Sequence, residues 1–379
     1  MSFITPTSYL SLPALVHNFR VCCRRAEGAS IICTVKADAY GHGAVACTGI
    51  LLAAGATAFA VANAHEAFAL APFFRRDLCK ERLTYKDAHP YLLILGPVEP
   101  RLLFDLSSLD TVLSIHSLPY ATALSKTLDA LKKKRVLREN YLQPVAIKAE
   151  TGMHRLGFSH IGAALAACRL PHLLPVTLYS HLGEGASVTG RTYLQARAFE
   201  RWSRALRGEG VALQTHLSAS GALFRFGTLG ADAARVGLAL YGALPDAASP
   251  LLLPVMRLCA RVLSVKTVRA GAGVGYGNFR LSQKTRVAIL GIGYADGIPV
   301  TASGAALEIK GRCARIIGEV CMDRTLLDVG DIPLREGEEV TLFGDENTPV
   351  NRFARECKTS VYHILSVRSP RTQRVYVSS

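Results

Sequence analysis

The chain is sparing with several things that would have placed it elsewhere. It has one tryptophan, four methionines and only 19% charged residues. With so few charges and half the residues hydrophobic, a disordered, solvating chain is excluded. Its most apolar window, residues 49–61, is rich in Ala and Gly and too short to span a bilayer, so no membrane partner is expected. The opening residues Met1-Ser2-Phe3-Ile4-Thr5-Pro6 lack a basic segment and a long apolar one, so no secretory signal is expected and the location is read as cytoplasmic. The ten cysteines form no C-x-x-C pair and no zinc-like spacing, and Cys22-Cys23 is merely adjacent. Reduced thiols and no metal are the expectation. Acidic residues are also scarce, 29 against 44 basic, for a formal net charge of +15. The densest basic run, Lys132-Lys133-Lys134-Arg135, has no interleaved aromatics on which bases would stack. It reads as a solvated helix end, and no nucleic-acid partner is expected.

What is present is a large apolar fraction, 50% of 379 residues, enough for about two domains with ample core. Eight short apolar or β-branched runs occur at 30–36, 58–63, 91–96, 110–116, 144–150, 175–181, 213–218 and 234–240, separated by helix-like stretches. Continuous apolar strands alternating with helices predict a parallel sheet buried on both faces. Eight units in this length suit a closed (β/α)8 TIM barrel, with a doubly wound open sheet as the alternative. After Gly242 the texture changes to strand-like runs at 255–268, 285–292, 306–309, 313–320, 326–329 and 339–343, punctuated by Gly and Asp-Gly turns, with helix-like inserts at 350–357 and 360–366. An α/β barrel over 11–245 followed by a mostly-β C-terminal domain over 246–379 is expected, with residues 1–10 packing on the latter. Residues 73–89 are long and basic for a barrel connection and read as a surface insertion.

The most informative segment is V-K-A-D-A-Y-G-H-G, Val35 to Gly43. It places Lys36 at the end of the first apolar run. A lysine against apolar walls loses its preference for charge, and an uncharged amine forms a Schiff base with an aldehyde. The ends of the other runs add Lys148, the T-G-M-H-R loop with Arg155, His181, Ser220-Gly221, and Arg235 followed by Gly237-Leu238. A barrel builds its active site on that face and often holds a phosphate near its seventh and eighth strands. A lysine, arginines and a phosphate nest on one rim suggest pyridoxal 5'-phosphate (PLP).

V-K-A-D-A-Y-G-H-G, T-G-M-H-R-L-G-F, R-V-G-L-A-L-Y-G, G-V-G-Y-G, G-Y-A-D-G and C-M-D, taken as an ordered set, resemble the alanine racemase family of fold-type III PLP enzymes. The resemblance implies interconversion of L- and D-alanine by a two-base mechanism on a PLP external aldimine, supplying D-alanine for peptidoglycan. It implies that Lys36 carries PLP and serves as the base on the D-alanine side, with Tyr276 the opposing base. Arg155 is similar to the arginine that contacts the substrate carboxylate and the cofactor's phenolic oxygen. Arg235 resembles the one facing the pyridine nitrogen. Tyr40, Ser220, Gly237, Leu238 and Tyr362 match phosphate-site positions, and His181 matches a residue between Arg235 and Tyr276. Met322 and Asp323 match substrate-binding positions, and Tyr294 one at the entrance. Lys148 matches a lysine often carbamylated in the family, where the modified group orients the arginine at Arg155. The resemblance also implies a head-to-tail homodimer in which one subunit's β domain closes its partner's barrel.

Chemistry supports this assignment. Inverting a carbon centre requires a proton removed from one face and one returned to the other, and positioned acid–base groups give about 10²–10⁴-fold each. A tyrosine, ordinarily near pKa ~10, needs cationic neighbours to work near pH 7, a role expected here for the arginines and His181. An arginine at the ring nitrogen, with pKa ~12 or above, holds its proton and leaves the ring a weaker electron sink. The alternatives are a fold-type III amino-acid decarboxylase and a non-catalytic PLP carrier. Four positions depart from the family pattern: Glu150 for Asp, Ala219 for Asn, Glu319 for Arg and Arg324 for Gln.

Overall fold

The computed structural model describes residues 5–76, 90–185, 187, 189–245 and 249–378. Most of the basic stretch 73–89, residues 246–248 of the expected second domain and residues 1–4 lie outside the described residues. The chain forms two compact units, Phe19–Ala39 with Gly43–Leu240, and Met1–Asn18 with Tyr40–His42 and Tyr241–Ser379.

The chain's first strand, β1 (Thr7–Ser11), belongs to the second of these units. The first unit is a closed barrel of eight strands: β2 (Ser30–Thr34), β3 (Ala58–Val61), β4 (Tyr91–Ile94), β5 (Thr111–Ile115), β6 (Gln143–Lys148), β7 (Leu173–Tyr179), β8 (Gln214–His216) and β9 (Ala233–Val236). All neighbours pair in parallel, and β9 returns to β2 with Ser30 opposite Ala233 and Cys33 opposite Val236. The expected (β/α)8 barrel is therefore present, and the open-sheet alternative is excluded by the closure.

Its core is small-residue chemistry around one ring. Ile32, Ala58, Ala60, Leu93, Val112, Ala146 and Ala233 cluster with Tyr179, all buried. Four alanines leave the space that a buried tyrosine fills. The outer helices follow amphipathic logic. Leu118–Lys133 starts at Ser117, whose hydroxyl accepts the Tyr120 N–H, and buries Ala121, Leu124 and Leu128. Gly190–Gly208 starts at Thr189 and buries Phe199, Trp202 and Leu206. The basic run at the end of the first of these helices is not wholly solvated. Lys132 is buried with its ammonium donating to the Glu139 carbonyl at 2.6 Å, while Lys133 pairs with Asp129 at 2.7 Å. The lysine stem is apolar, so a position on the buried face can take it when its head finds a carbonyl.

The second unit is a β-sheet. Its further strands are β10 (Met256–Val268), β11 (Thr285–Leu290), β12 (Ala306–Ile309), β13 (Arg312–Ile316), β14 (Thr325–Asp328), β15 (Glu339–Phe343) and β16 (Gln373–Val377). Their order is β12-β13-β14-β11-β10-β1-β16, with β15 also on β10. The mostly-β second domain is thus as expected. Strands β1 and β16 were not legible as strands: β1 lies antiparallel to β10 and parallel to β16, with Thr7 opposite both Cys259 and Gln373. No helix among the described residues is long and apolar enough to cross a membrane.

Candidate active site

Lys36 stands just past the end of β2, where the Val35 N–H still donates to the Ala60 carbonyl at 2.9 Å. The four residues after it, Ala37 to Tyr40, all have φ between 51° and 54°. A left-handed turn of non-glycine residues costs roughly 1–2 kcal/mol per residue, so its surroundings must hold it. They do so with hydrogen bonds. The Ala39 N–H donates to the Val35 carbonyl at 2.9 Å and the Gly43 N–H to the Asp38 carbonyl at 2.9 Å. The Asp38 carboxylate accepts the Ala44 N–H at 2.7 Å, and the Glu66 carboxylate accepts the Ala37 N–H at 2.8 Å. Burial lowers the Lys36 pKa, helped by Arg155 and Arg235 and opposed by Glu66. That is the environment a nucleophilic amine requires.

Lys148 ends β6 and is buried. Burial first, then Arg155 and Arg235, lower its pKa to about 8, and its ammonium lies 5.8 Å from the Tyr179 ring centroid. The loop carrying Arg155 folds back so that Ala149 and Phe158 form a parallel bridge. Gly157 permits this: a Cβ there would meet the Glu150 nitrogen at 2.8 Å. Glu150 holds the loop, accepting the N–H groups of Gly152 at 2.5 Å, Met153 at 2.7 Å and Arg155 at 3.3 Å. Burial pushes its pKa up, but these backbone donors, with that of His154, outweigh it and leave the carboxyl below its usual range.

Arg235, on β9, is the buried centre of the barrel mouth. One guanidinium nitrogen donates to His216 Nδ1 at 2.5 Å and to the His216 carbonyl at 3.0 Å. The other donates to the Ser180 carbonyl at 2.6 Å and to His181 Nδ1 at 3.2 Å. Tyr179 lies beneath, 5.1 Å from the guanidinium carbon, with the His216 ring stacked on it at 5.0 Å. Burial and neighbouring Arg155 hold the Arg235 pKa at about 10, still protonated at neutral pH. Burial, then Arg235, Arg155 and the two lysines, drive His181 down to about 3, and burial with Arg235 drives His216 well below its usual value. Both rings therefore accept at Nδ1 from the guanidinium and keep their proton on Nε2. His181 is thus held neutral by burial and by the cations around it, whereas the sequence expectation gave it a share of the positive charge around a tyrosine. Ser220 is buried at the start of the helix Ser220–Phe226, its oxygen accepting from the N–H groups of Gly237 at 3.2 Å and Ala239 at 3.1 Å. Leu238, between those two donors, is buried.

The remaining candidates lie in the β unit. Tyr40 is buried, its ring centroid 5.1 Å from that of Tyr241 and 6.1 Å from that of Tyr362, and burial with Tyr362 raises its phenol pKa. Tyr276, Tyr294, Met322 and Tyr362 are exposed, Tyr276 at 67% and Met322 at 52%. Backbone bonds unite the loops that carry two of them: the Tyr294 N–H donates to the Cys321 carbonyl and the Ala295 N–H to the Met322 carbonyl, both at 3.0 Å. Arg371 then clamps Asp296 at 2.9 Å and Asp323 at 2.7 Å. The loop of Tyr276 touches Glu319, whose Oε1 lies 2.5 Å from where a Cβ on Gly277 would stand. Among the described residues no three His, Cys, Asp or Glu side chains group as a metal site.

Sequence reasoning missed Glu66, Tyr179, His216 and Arg371. His216 and Tyr179 end β8 and β7, as other candidates end theirs, so strand-end position was the available signal. Arg371 acts through Asp323, 48 residues away, and carries no local signal; Glu66 carries only a helix-start signal, three residues after the N-cap Asn63, and its bond to the Ala37 N–H spans 29 residues.

A closed α/β barrel bearing a buried guanidinium and a half-buried lysine at its mouth, followed by a β-sheet unit that exposes tyrosines, defines a two-domain barrel class. The chain belongs to the alanine racemase family. Residues 10–245 match the model for the alanine racemase N-terminal domain and residues 255–376 that for its C-terminal domain. It is 35% identical to the alanine racemase of Xanthomonas axonopodis pv. citri, covering 97% of this chain and 95% of that one. It is 33% identical to the catabolic alanine racemase of Pseudomonas aeruginosa, covering 97% of each. The solved alanine racemase of Streptomyces coelicolor superposes with a TM-score of 0.85 at 28% identity, covering 99% of each chain.

Proposed function

We propose that this chain is a PLP-dependent isomerase that interconverts L- and D-alanine, with Lys36 and Tyr276 as the two acid–base groups. The observation that carries the reading is Lys36 at the barrel mouth, near a buried Arg235 that stays protonated at neutral pH. The residues fit the cofactor: an amine of lowered basicity for the aldehyde, a guanidinium for the ring nitrogen, and for the phosphate the Ser220 hydroxyl, whose oxygen takes the Gly237 and Ala239 N–H groups and so leaves its own proton to donate. When bound, PLP supplies a conjugated ring that acidifies the hydrogen on the substrate's α-carbon. Lys36 then moves a proton at Nζ on one face and Tyr276 at its phenol oxygen on the other. Arg235 keeps its proton because its pKa stays far above neutral. Arg155 binds the substrate carboxylate, and the Met322 backbone with Asp323, held by Arg371, lies along it. Tyr40, Ser220, Gly237, Leu238 and Tyr362 hold the phosphate, and Tyr294 lines the entrance. His181 fixes Arg235 through Nδ1.

The head-to-tail homodimer belongs to this proposal. The exposure of Tyr276, Tyr294 and Met322 supports it, since three large side chains left open to solvent, two of them on hydrogen-bonded loops, are surface a partner would cover. Lys148, with pKa about 8, has a neutral fraction near pH 7.5 able to add carbon dioxide, and the carbamate would orient Arg155. A cytoplasmic supply of D-alanine for peptidoglycan is the corresponding role.

The test is a chiral assay of alanine, serine, lysine and arginine with the holoenzyme. D-alanine is expected, and loss of it in Lys36→Ala and Tyr276→Phe. Carbon dioxide release from lysine, ornithine or diaminopimelate would favour a decarboxylase; a PLP spectrum without turnover would favour a carrier.

A further inference from the structure

We infer that Glu66 is a positioning residue for the proposed reaction, pinning the left-handed turn that presents Lys36. The inference rests on the reading of Lys36 given above. Glu66 lies on the short helix Ala64–Ala69, whose N-cap Asn63 accepts the Glu66 N–H at 3.0 Å and so fixes where its side chain begins. Its two carboxylate oxygens have separate tasks. Oε1 accepts the Ala37 N–H at 2.8 Å, the first peptide after Lys36; Oε2 accepts the Ala62 N–H at 2.7 Å, just past β3. One carboxylate thus staples the ends of two adjacent barrel strands at the point where the first turns left-handed.

Geometry makes the carboxylate hard to replace. An amide has one acceptor oxygen, and its NH2 group would confront whichever N–H it does not satisfy. An aspartate keeps the charge but is one methylene short of bridging two donors on different strands. The charge has its own consequence. The amine of Lys36 is pulled towards neutrality by burial and by Arg155 and Arg235, and Glu66 is the one negative group among the named influences opposing them. Removing that charge must lower the amine's pKa further.

The test compares Glu66→Gln and Glu66→Asp with wild type by two readouts. The first is kcat/KM for alanine in the holoenzyme. The second is the pH dependence of Lys36 acylation by trace acetic anhydride, read by mass spectrometry on the full chain after cofactor removal. Both variants are expected to lose about ten- to a hundred-fold in kcat/KM, the scale of a misplaced reacting group. In Glu66→Gln the acylation midpoint moves to lower pH; in Glu66→Asp it stays near the wild-type value. Activity within two-fold of wild type in Glu66→Gln, or activity lost with an unmoved midpoint, would overturn the inference. If Glu66→Gln does not fold, Glu66→Asp decides it: full activity there overturns the staple. A wild-type protein that makes no D-alanine sinks the racemase reading instead, and the acylation comparison still reports on Glu66.

Discussion

His181 offers a direct way to weigh the buried network around Arg235. The ring stays neutral in the folded protein down to about pH 3, because burial and four nearby cations oppose its protonation. Unfolded, the same ring binds a proton below its ordinary pKa of ~6.5. Between those values the unfolded state holds one more proton than the folded one, so unfolding free energy rises with pH. The contribution is complete above about pH 6.5 and is lost as pH falls towards 3. The slope is about 1.4 kcal/mol per pH unit for one group. In His181→Asn the amide oxygen can still accept from Arg235 in place of Nδ1, and the titrating group is gone. From pH 6 to pH 4.5 the wild type should therefore lose about 2 kcal/mol more than His181→Asn. Urea unfolding at matched protein and cofactor concentrations measures this, since both bind the folded state. Carboxylates and His216 contribute equally to both proteins and cancel in the difference. Parallel pH profiles, with an offset that does not change, would refute the claim that His181 is buried and neutral.

Four further outcomes are expected. Gly41 has φ +81°, and a Cβ there would stand 2.3 Å from the Leu365 carbonyl oxygen, so Gly41→Ala should destabilise by about 2–4 kcal/mol in denaturant melts. Gly55→Ala, at φ +96° with open space around it, should suffer only the backbone strain, about 1–2 kcal/mol. If Lys148 is carbamylated, activity in carbon-dioxide-free buffer should fall, recover with bicarbonate, and become more complete as pH rises through about 8; Lys148→Met should show no bicarbonate response. Mixing inactive Lys36→Ala and Tyr276→Phe subunits should restore part of the activity, and no recovery after proven subunit exchange would count against a shared site.

The barrel was legible because its strands are buried on both faces, which writes eight continuous apolar runs into the sequence. The runs overshoot the strands at their C-terminal ends, as at Lys36 beyond Thr34 and His181 beyond Tyr179, because the chain continues into the mouth where its side chains are used. Strands β1 and β16 were hidden for the opposite reason. β16 is largely exposed and carries Gln373 and Arg374, and the two meet only through pairing across most of the chain. At the barrel mouth, candidates stood out where a motif or a strand end marked them, and residues whose only mark is a distant partner did not. Glu66 reads from the sequence only as a helix-start residue after Asn63, and its bond to the turn at Lys36 appears only when β2 and β3 are paired. Lys132 was read with its neighbours as solvated, although the helix turns it inward to a carbonyl.

The central claim is that Lys36 and Tyr276 exchange protons at the α-carbon of alanine from opposite sides. The most direct measurement is the incubation of the PLP-loaded protein with L-alanine in deuterium oxide, with chirality and deuterium content read together. The account predicts D-alanine carrying deuterium at the α-carbon, abolished in Lys36→Ala. L-alanine recovered with its configuration unchanged and no D-alanine formed would contradict it.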